Sequence, residues 1–193
     1  MRRDDVTAVI LAGGKATRMG GADKRQLVVD GQTIFERQVA VLAPRVAEIV
    51  VSAGRPVAGF RTVADAEPGL GPLAGIAAGL AAARTTWLLV LAGDMPHVSG
   101  ALVELLMSPL GDECDAVGIR IGGRPEPLCT ILRVAPWLPI VRARIATRRL
   151  KAAALLVDGS EDDVRVQWIE EAEVREIDPG LHALRNVNAP EDL

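Results

Sequence analysis

The 193-residue sequence predicts an α/β fold, a Rossmann-like three-layer sandwich with a mainly parallel central sheet. Short apolar runs of strand length alternate with helical stretches as far as about residue 110, which is how parallel strands are connected. One run, WLLVLA at 87–92, is apolar throughout, as in a central strand covered on both faces. No linker, repeat or low-complexity tract divides the chain, and at this length a single domain buries roughly 70% of its unfolded surface.

In order, VTAVIL at 6–11 is a β-branched first strand, which passes into LAGGKATRMGG at 11–21, too rich in glycine to continue as one. Residues 27–31 form a short extended piece and a turn. Thr33 caps a helix over 34–42 that Pro44 ends, with Ile34, Val39 and Leu42 near one face. EIVVSA at 48–53 is the second buried strand and 60–64 a shorter third. Pro72 suits the first turn of a helix continuing through Ala83. The fourth strand, 87–92, stops before Pro96, and Ser99 caps a helix over 100–107.

From Asp115 the character changes. Residues 116–121, a Gly122-Gly123 turn and residues 126–133 read as a pair of strands with Pro125 and Pro127 at an edge. A helix is predicted over 137–151, with Arg142, Arg144, Arg148 and Arg149 forming a solvated face or, at Arg148 and Arg149, holding a phosphate. Residues 164–169 and 174–177 are candidate strands, and 185–193 read as a loop and the first turn of an uncompleted helix.

The chemistry concentrates after the first strand. Four glycines within residues 13–21 permit positive φ and let backbone N–H groups approach an oxyanion, while Lys15, Arg18, Lys24 and Arg25 add positive charge. Two of only three lysines, against nineteen arginines, lie in this stretch. Lysine brings a compact point charge to a phosphate where arginine brings a planar fork. The spacing is neither that of a P-loop nor that of a dinucleotide fingerprint. A phosphate cradle is the functional reading, and a charged strand-to-helix connection is the plain one.

Two aspartates follow strands. Asp65, past the third, sits where ligands of open α/β sheets bind, or is simply a turn residue. Asp94 is thrown out at the carboxyl end of the clearest strand, opposite the basic loop, where a catalytic carboxylate belongs; it reads as a metal ligand or as a structural turn residue. Gly75 and Gly79, four apart on one helix, permit close packing against the sheet or admit a nucleobase.

A net charge of −3 without basic and aromatic residues clustered together argues against a nucleic-acid surface. Nothing approaches eighteen consecutive apolar residues, so a cytoplasmic protein away from the membrane is expected. Two cysteines, Cys114 and Cys129, and two histidines lack zinc-site spacing. Any metal is therefore expected to be hard and oxygen-bound, magnesium or manganese.

The run LAGGKATRMGGADK resembles the nucleotidyltransferase signature L-x-x-G-x-x-x-R-M-G followed by lysine, in the form found in molybdenum cofactor guanylyltransferases. GPLAGI at 71–76, AGDMP at 92–96, RPEPL at 124–128, RRL at 148–150 and NVNAPEDL at 186–193 occur in the family's order and extend the resemblance over nearly the whole chain. The resemblance implies a nucleotide-diphospho-sugar transferase-like fold, with a nucleotide-binding half over 1–110 and an acceptor-binding half over 111–193. It implies transfer of GMP from GTP to the terminal phosphate of molybdopterin-bound molybdenum cofactor. Leu11, Ala12, Gly13 and Asp65 would line the nucleotide, Lys24 and Arg18 would serve its phosphates, and Asp94 would bind magnesium. Arg148, Arg149, Asn186 and Asn188 would face the pterin. Transient contacts with cofactor-supplying and recipient molybdoenzymes follow from the same resemblance. The chain departs from the family pattern at Ser52, Arg25 and Ala189. The alternatives are a cytidylyl- or sugar-phosphate nucleotidyltransferase of the same fold, and a non-catalytic partner that delivers nucleotide or cofactor.

Overall fold

The computed structural model describes residues 2–12, 26–64, 69–158 and 163–187, without the Asp158 side chain. β1 (Arg3–Leu11) is followed by the short β2 (Val28–Val29) and β3 (Gln32–Thr33), which pair antiparallel, and by α1 (Ile34–Leu42). Thr33 and Glu36 close a reciprocal capping box at the start of α1, satisfying two otherwise orphan donors. β4 (Val46–Ser52), β5 (Arg61–Val63), α2 (Pro72–Ala82), β6 (Trp87–Ala92) and α3 (Gly100–Met107) complete the alternating half. The second half holds β7 (Ala116–Ile121), β8 (Arg124–Pro125), β9 (Cys129–Arg133), α4 (Val134–Ala146), α5 (Leu155–Asp158), β10 (Val166–Glu170) and α6 (Glu171–Ile177).

The main sheet runs β10-β7-β9-β6-β1-β4-β5, with β8 paired to β7. β1 lies parallel to both β4 and β6, and β10 parallel to β7, while β9 runs against both of its neighbours. The sheet is therefore mainly parallel, as expected. The chain leaves β1 to one side for β4 and β5, then returns to its other side for β6, so the carboxyl end of β1 is a topological switch point.

Alternate residues of the central strands feed two cores. Ala8 and Ile10 of β1 and Leu89 and Leu91 of β6 pack with Leu42 of α1, Leu102 and Leu106 of α3 and Val174 of α6. Val9, Leu88 and Val90 pack on the other face with Ile76 and Leu80 of α2, Trp137 and Val141 of α4, and Leu155 and Leu156. Helices thus cover both faces, and every residue of β6 is buried. An added methyl on Gly79 would stand 3.0 Å from Val9 Cγ1, so this glycine serves close packing of α2 on the sheet. Both cysteines are free and buried.

Four expectations need correction. The helix predicted over 137–151 starts at Val134 and stops at Ala146. Thr147 turns its hydroxyl back onto the Ala143 carbonyl at 2.9 Å, and Arg148 takes a left-handed φ of 57°. The N–H of Arg149 then bonds the Arg144 carbonyl and that of Arg148 the Ile145 carbonyl, a Schellman closure. Arg144 is buried, so it is no part of a solvated face. Residues 174–177 are helical, because Glu170 and Glu173 form a capping box that starts α6. The strand predicted over 126–133 begins only at Cys129, since Glu126 instead extends the β7–β8 hairpin by donating to the Ile119 carbonyl. The α1 stripe stands as expected, with Ile34 and Leu42 buried and Val39 packed part-covered against the same core as Leu42, and it also takes in the buried Gln38.

Candidate active site

The carboxyl ends of β1, β4 and β6 form one rim. The Ala12 N–H donates to the Ser52 carbonyl at 2.8 Å, and the Gly93 N–H donates to the Leu11 carbonyl at 3.0 Å. These bonds carry the pairing one residue past the strand ends and set Leu11, Ala12, Ser52 and Asp94 side by side. Gly93 is required there, because a Cβ would stand 2.8 Å from the Leu11 carbonyl oxygen. Asp94 follows it half-buried, between the buried Gly93 and Met95.

Asn186 arrives from the far end of the chain. The Val187 N–H donates to the Asp94 carbonyl at 2.8 Å, and the Val187 side chain is buried with Val29 and Ile34 beside Leu27. One small core thus joins the terminal segment, the strand pair that follows the glycine loop, and the turn bearing Asp94. Asn186 itself is exposed at this junction.

Arg148 and Arg149 reach the rim by a different route. β9 runs down the sheet, and α4 begins at its foot, where the Val134 N–H donates to the Thr86 carbonyl. The thirteen residues of α4 climb about 20 Å at 1.5 Å per residue, the length of a six-residue strand such as β6. The helix packs on α2 and so returns Arg148 and Arg149, both exposed, to the level where α2 begins. That start is Gly71, with φ of 67°, followed by Pro72 in the first turn. A helix start presents unpaired backbone N–H groups and the positive end of its dipole.

Ser52, where the resemblance leads one to expect asparagine, is buried, and an added methyl on Gly75 would lie 2.8 Å from its hydroxyl and 2.9 Å from Leu11 Cδ2. Gly75 therefore lets α2 close on the two residues that end β1 and β4. Gly13, Arg18, Lys24, Asp65 and Asn188, together with Arg25 and Ala189, lie outside the described residues. Of the expected site residues, the structure brings Leu11, Ala12, Asp94 and Asn186 together at one rim, with Arg148 and Arg149 on the neighbouring helix layer.

Several residues at this rim were not singled out from the sequence. Gln38 and Arg37 of α1 both donate to carbonyls of the turn after β6. The signal available for Gln38 was its place between Ile34 and Leu42, one polar residue in an apolar stripe. Glu126 lies two residues before Leu128, whose carbonyl accepts the Ala92 N–H, and burial raises its pKa above the ordinary carboxylate value. Burial, with the neighbouring Glu126 charge, pushes the Cys129 thiol up to about 12, so this cysteine stays a protonated thiol at neutral pH.

Among the described residues, no three His, Cys, Asp or Glu side chains gather as a metal cluster. A single half-buried carboxylate at Asp94 suits magnesium, which is commonly held by one or two carboxylates together with substrate phosphates. No helix of the described residues is long and apolar enough to cross a membrane.

Residues 8–161 match the family model described as the MobA-like NTP transferase domain. The chain belongs to that family. Its relatives within the MobA-like group include a molybdenum cofactor guanylyltransferase of Pseudomonas putida, 36% identical and covering 99% of this chain and 97% of its own. Another of that name, from Desulfosudis oleivorans, is 29% identical over 98% of this chain and 93% of its own. Among solved structures, molybdopterin-guanine dinucleotide biosynthesis protein A from Archaeoglobus fulgidus superposes with a TM-score of 0.78 at 22% identity, covering 96% and 94% of the two chains. The fold is shared more widely. A 2-C-methyl-D-erythritol 4-phosphate cytidylyltransferase from Thermus thermophilus gives 0.66 at 20% identity, covering 95% and 93%. The MobA-like chain is accordingly a nucleotidyltransferase domain.

Proposed function

We propose that this chain transfers GMP from GTP to the terminal phosphate of molybdopterin-bound molybdenum cofactor, releasing pyrophosphate and forming the guanine dinucleotide cofactor. The observation that carries the reading is the joining of Leu11, Ala12, Asp94 and the Asn186-Val187 segment at one rim by main-chain hydrogen bonds. That arrangement suits two phosphate-bearing substrates meeting at one carboxylate. Relatives that cover nearly the full chain and bear the guanylyltransferase name support the choice of substrates.

In this reading the acceptor phosphate oxygen forms a bond to the α-phosphorus of GTP, while the bond to pyrophosphate breaks in line. A phosphate monoester is already largely ionised at neutral pH, so no protein base is needed to activate it. Leu11, Ala12, Gly13 and Asp65 hold the nucleotide, and Lys24 and Arg18 offset the charge of the departing pyrophosphate. Arg148, Arg149, Asn186 and Asn188 hold the acceptor so that two mutually repelling anions stay aligned. Asp94 would bind magnesium or manganese, which supplies charge neutralisation across the reacting phosphates.

Thermal unfolding with magnesium and each of GTP, CTP, ATP, UTP and dTTP tests the reading. A ligand at 100 times its Kd adds about 2.7 kcal/mol, or roughly 5–11 °C for a chain of this length. GTP alone should produce that shift, and turnover with molybdenum cofactor as acceptor should follow. A preference for CTP would move the substrate to the cytidylyl branch. No shift with any nucleotide would favour a delivery partner.

A further inference from the structure

Asp94 stands in a turn whose carbonyls are held almost entirely from one helix. Gln38 is fully buried, and its single amide nitrogen donates to the Ala92 carbonyl at 2.8 Å and the Met95 carbonyl at 3.1 Å. Those two carbonyls bracket Gly93 and Asp94. The adjacent Arg37 donates from Nε to the Pro96 carbonyl at 3.0 Å and from Nη1 to the Val29 carbonyl at 3.3 Å. The Asp94 carbonyl is taken by the Val187 N–H.

Gln38 is an expensive way to fill a core position. Its Oε1 is buried and has no hydrogen-bond partner among the described residues, and such an orphan is a net cost to folding. Methionine would fill similar space with no amide oxygen to orphan, but it would leave two buried carbonyls without their donor. The amide is thus explained by the turn it holds and not by packing.

We infer that Gln38 is a positioning residue, whose amide fixes the Gly93-Asp94 turn so that the Asp94 carboxylate faces the cation and phosphates. The inference rests on the reading of Asp94 given under the proposed function. Gln38 touches no reacting atom. It acts by removing the turn's freedom, so that binding does not have to order it.

The test uses the full chain and measures Mn2+ affinity in the presence of GTP by electron paramagnetic resonance, together with turnover and the melting temperature. Asp94→Ala is the control for the underlying reading, and it should lose the GTP-dependent Mn2+ site. Gln38→Met should weaken Mn2+ at least tenfold and lower kcat by a similar factor, with the GTP-induced thermal shift without metal unchanged. Gln38→Glu separates positioning from bulk stability, because a carboxyl donates a hydrogen bond only while protonated. In that variant Mn2+ affinity should stand close to wild type near pH 5.5 and fall away from it by pH 8.

If Asp94→Ala removes the site while folded Gln38→Met binds Mn2+ within threefold of wild type, the inference on Gln38 is wrong and the reading of Asp94 stands. If Asp94→Ala itself leaves Mn2+ binding intact, the reading of Asp94 fails first. Should Gln38→Met not fold, Gln38→Glu decides, and an Mn2+ affinity that tracks wild type across the pH range overturns the inference.

Discussion

Two neighbouring parts of the rim, the carboxylate-bearing turn after β6 and the arginine-bearing end of α4, are built in opposite ways. The turn after β6 is over-determined. Its carbonyls are held by Gln38, Arg37 and Val187, and its glycine N–H by Leu11. The end of α4 is closed by its own backbone, and it sets Arg148 in a left-handed conformation that favours glycine. In the proposed reading, the carboxylate that would meet a cation is held from several elements. The arginines that would reach a phosphate sit at a helix end with one left-handed residue.

The sharpest way to break this contrast is to remove the carboxylate from the rigid side. Asp94→Ala should lower turnover by at least about 10²-fold, the scale for losing one preorganised charge-stabilising group. The Val187 bond uses the Asp94 main-chain carbonyl, which the variant keeps, so the fold should survive. Steady-state kinetics at saturating GTP and metal check this, and turnover within threefold of wild type would take Asp94 out of the reaction.

On the strained side, Arg148→Gly should move affinity and stability in opposite directions. Loss of a charge-assisted contact costs about 1.5–3 kcal/mol, so the acceptor KM should rise roughly tenfold or more while GTP affinity holds. Relief of the left-handed conformation returns about 1–2 kcal/mol, partly offset by the extra freedom of glycine in the unfolded chain. A net gain of about 0.5–1 kcal/mol corresponds to a melting point about 1–4 °C higher. A variant that is both less stable and unchanged toward acceptor would show that Arg148 sits there for structure alone.

How far the sequence could be read follows the same division. Strand β6, the Thr33 and Ser99 caps and the Pro72 helix start are local signals, and the structure reproduces them residue for residue. Asp94 at the rim was legible because a fully apolar strand announces its own end. The end of α4 was not, since a Schellman closure with arginine in place of glycine carries no composition signal. Residues 174–177 read as a strand from β-branched content, while the capping box that decides for helix lies partly upstream, at Glu170 and Glu173. Arg37, Gln38 and Val187 hold the β6 turn through contacts between distant parts of the chain, and single-sequence periodicity does not see those.

The smallest effect tests whether the rim tolerates charge beyond Asp94. Glu126 lies two residues before Leu128, whose carbonyl accepts the Ala92 N–H, and no cation pairs with it among the described residues, so burial alone raises its pKa above the unfolded value. The folded state therefore holds the Glu126 proton more tightly than the unfolded chain does. Its contribution to stability is best below the unfolded pKa and is eroded as pH rises through the higher folded one. Glu126→Gln removes the ionisation and should melt about 1–2 °C above wild type at pH 8, with the difference closing toward pH 4. Melting curves across that range read the effect directly. An advantage that did not depend on pH would come from packing of the amide, and a lower melting point at pH 8 would mean that the carboxylate is stabilised by a partner at the rim.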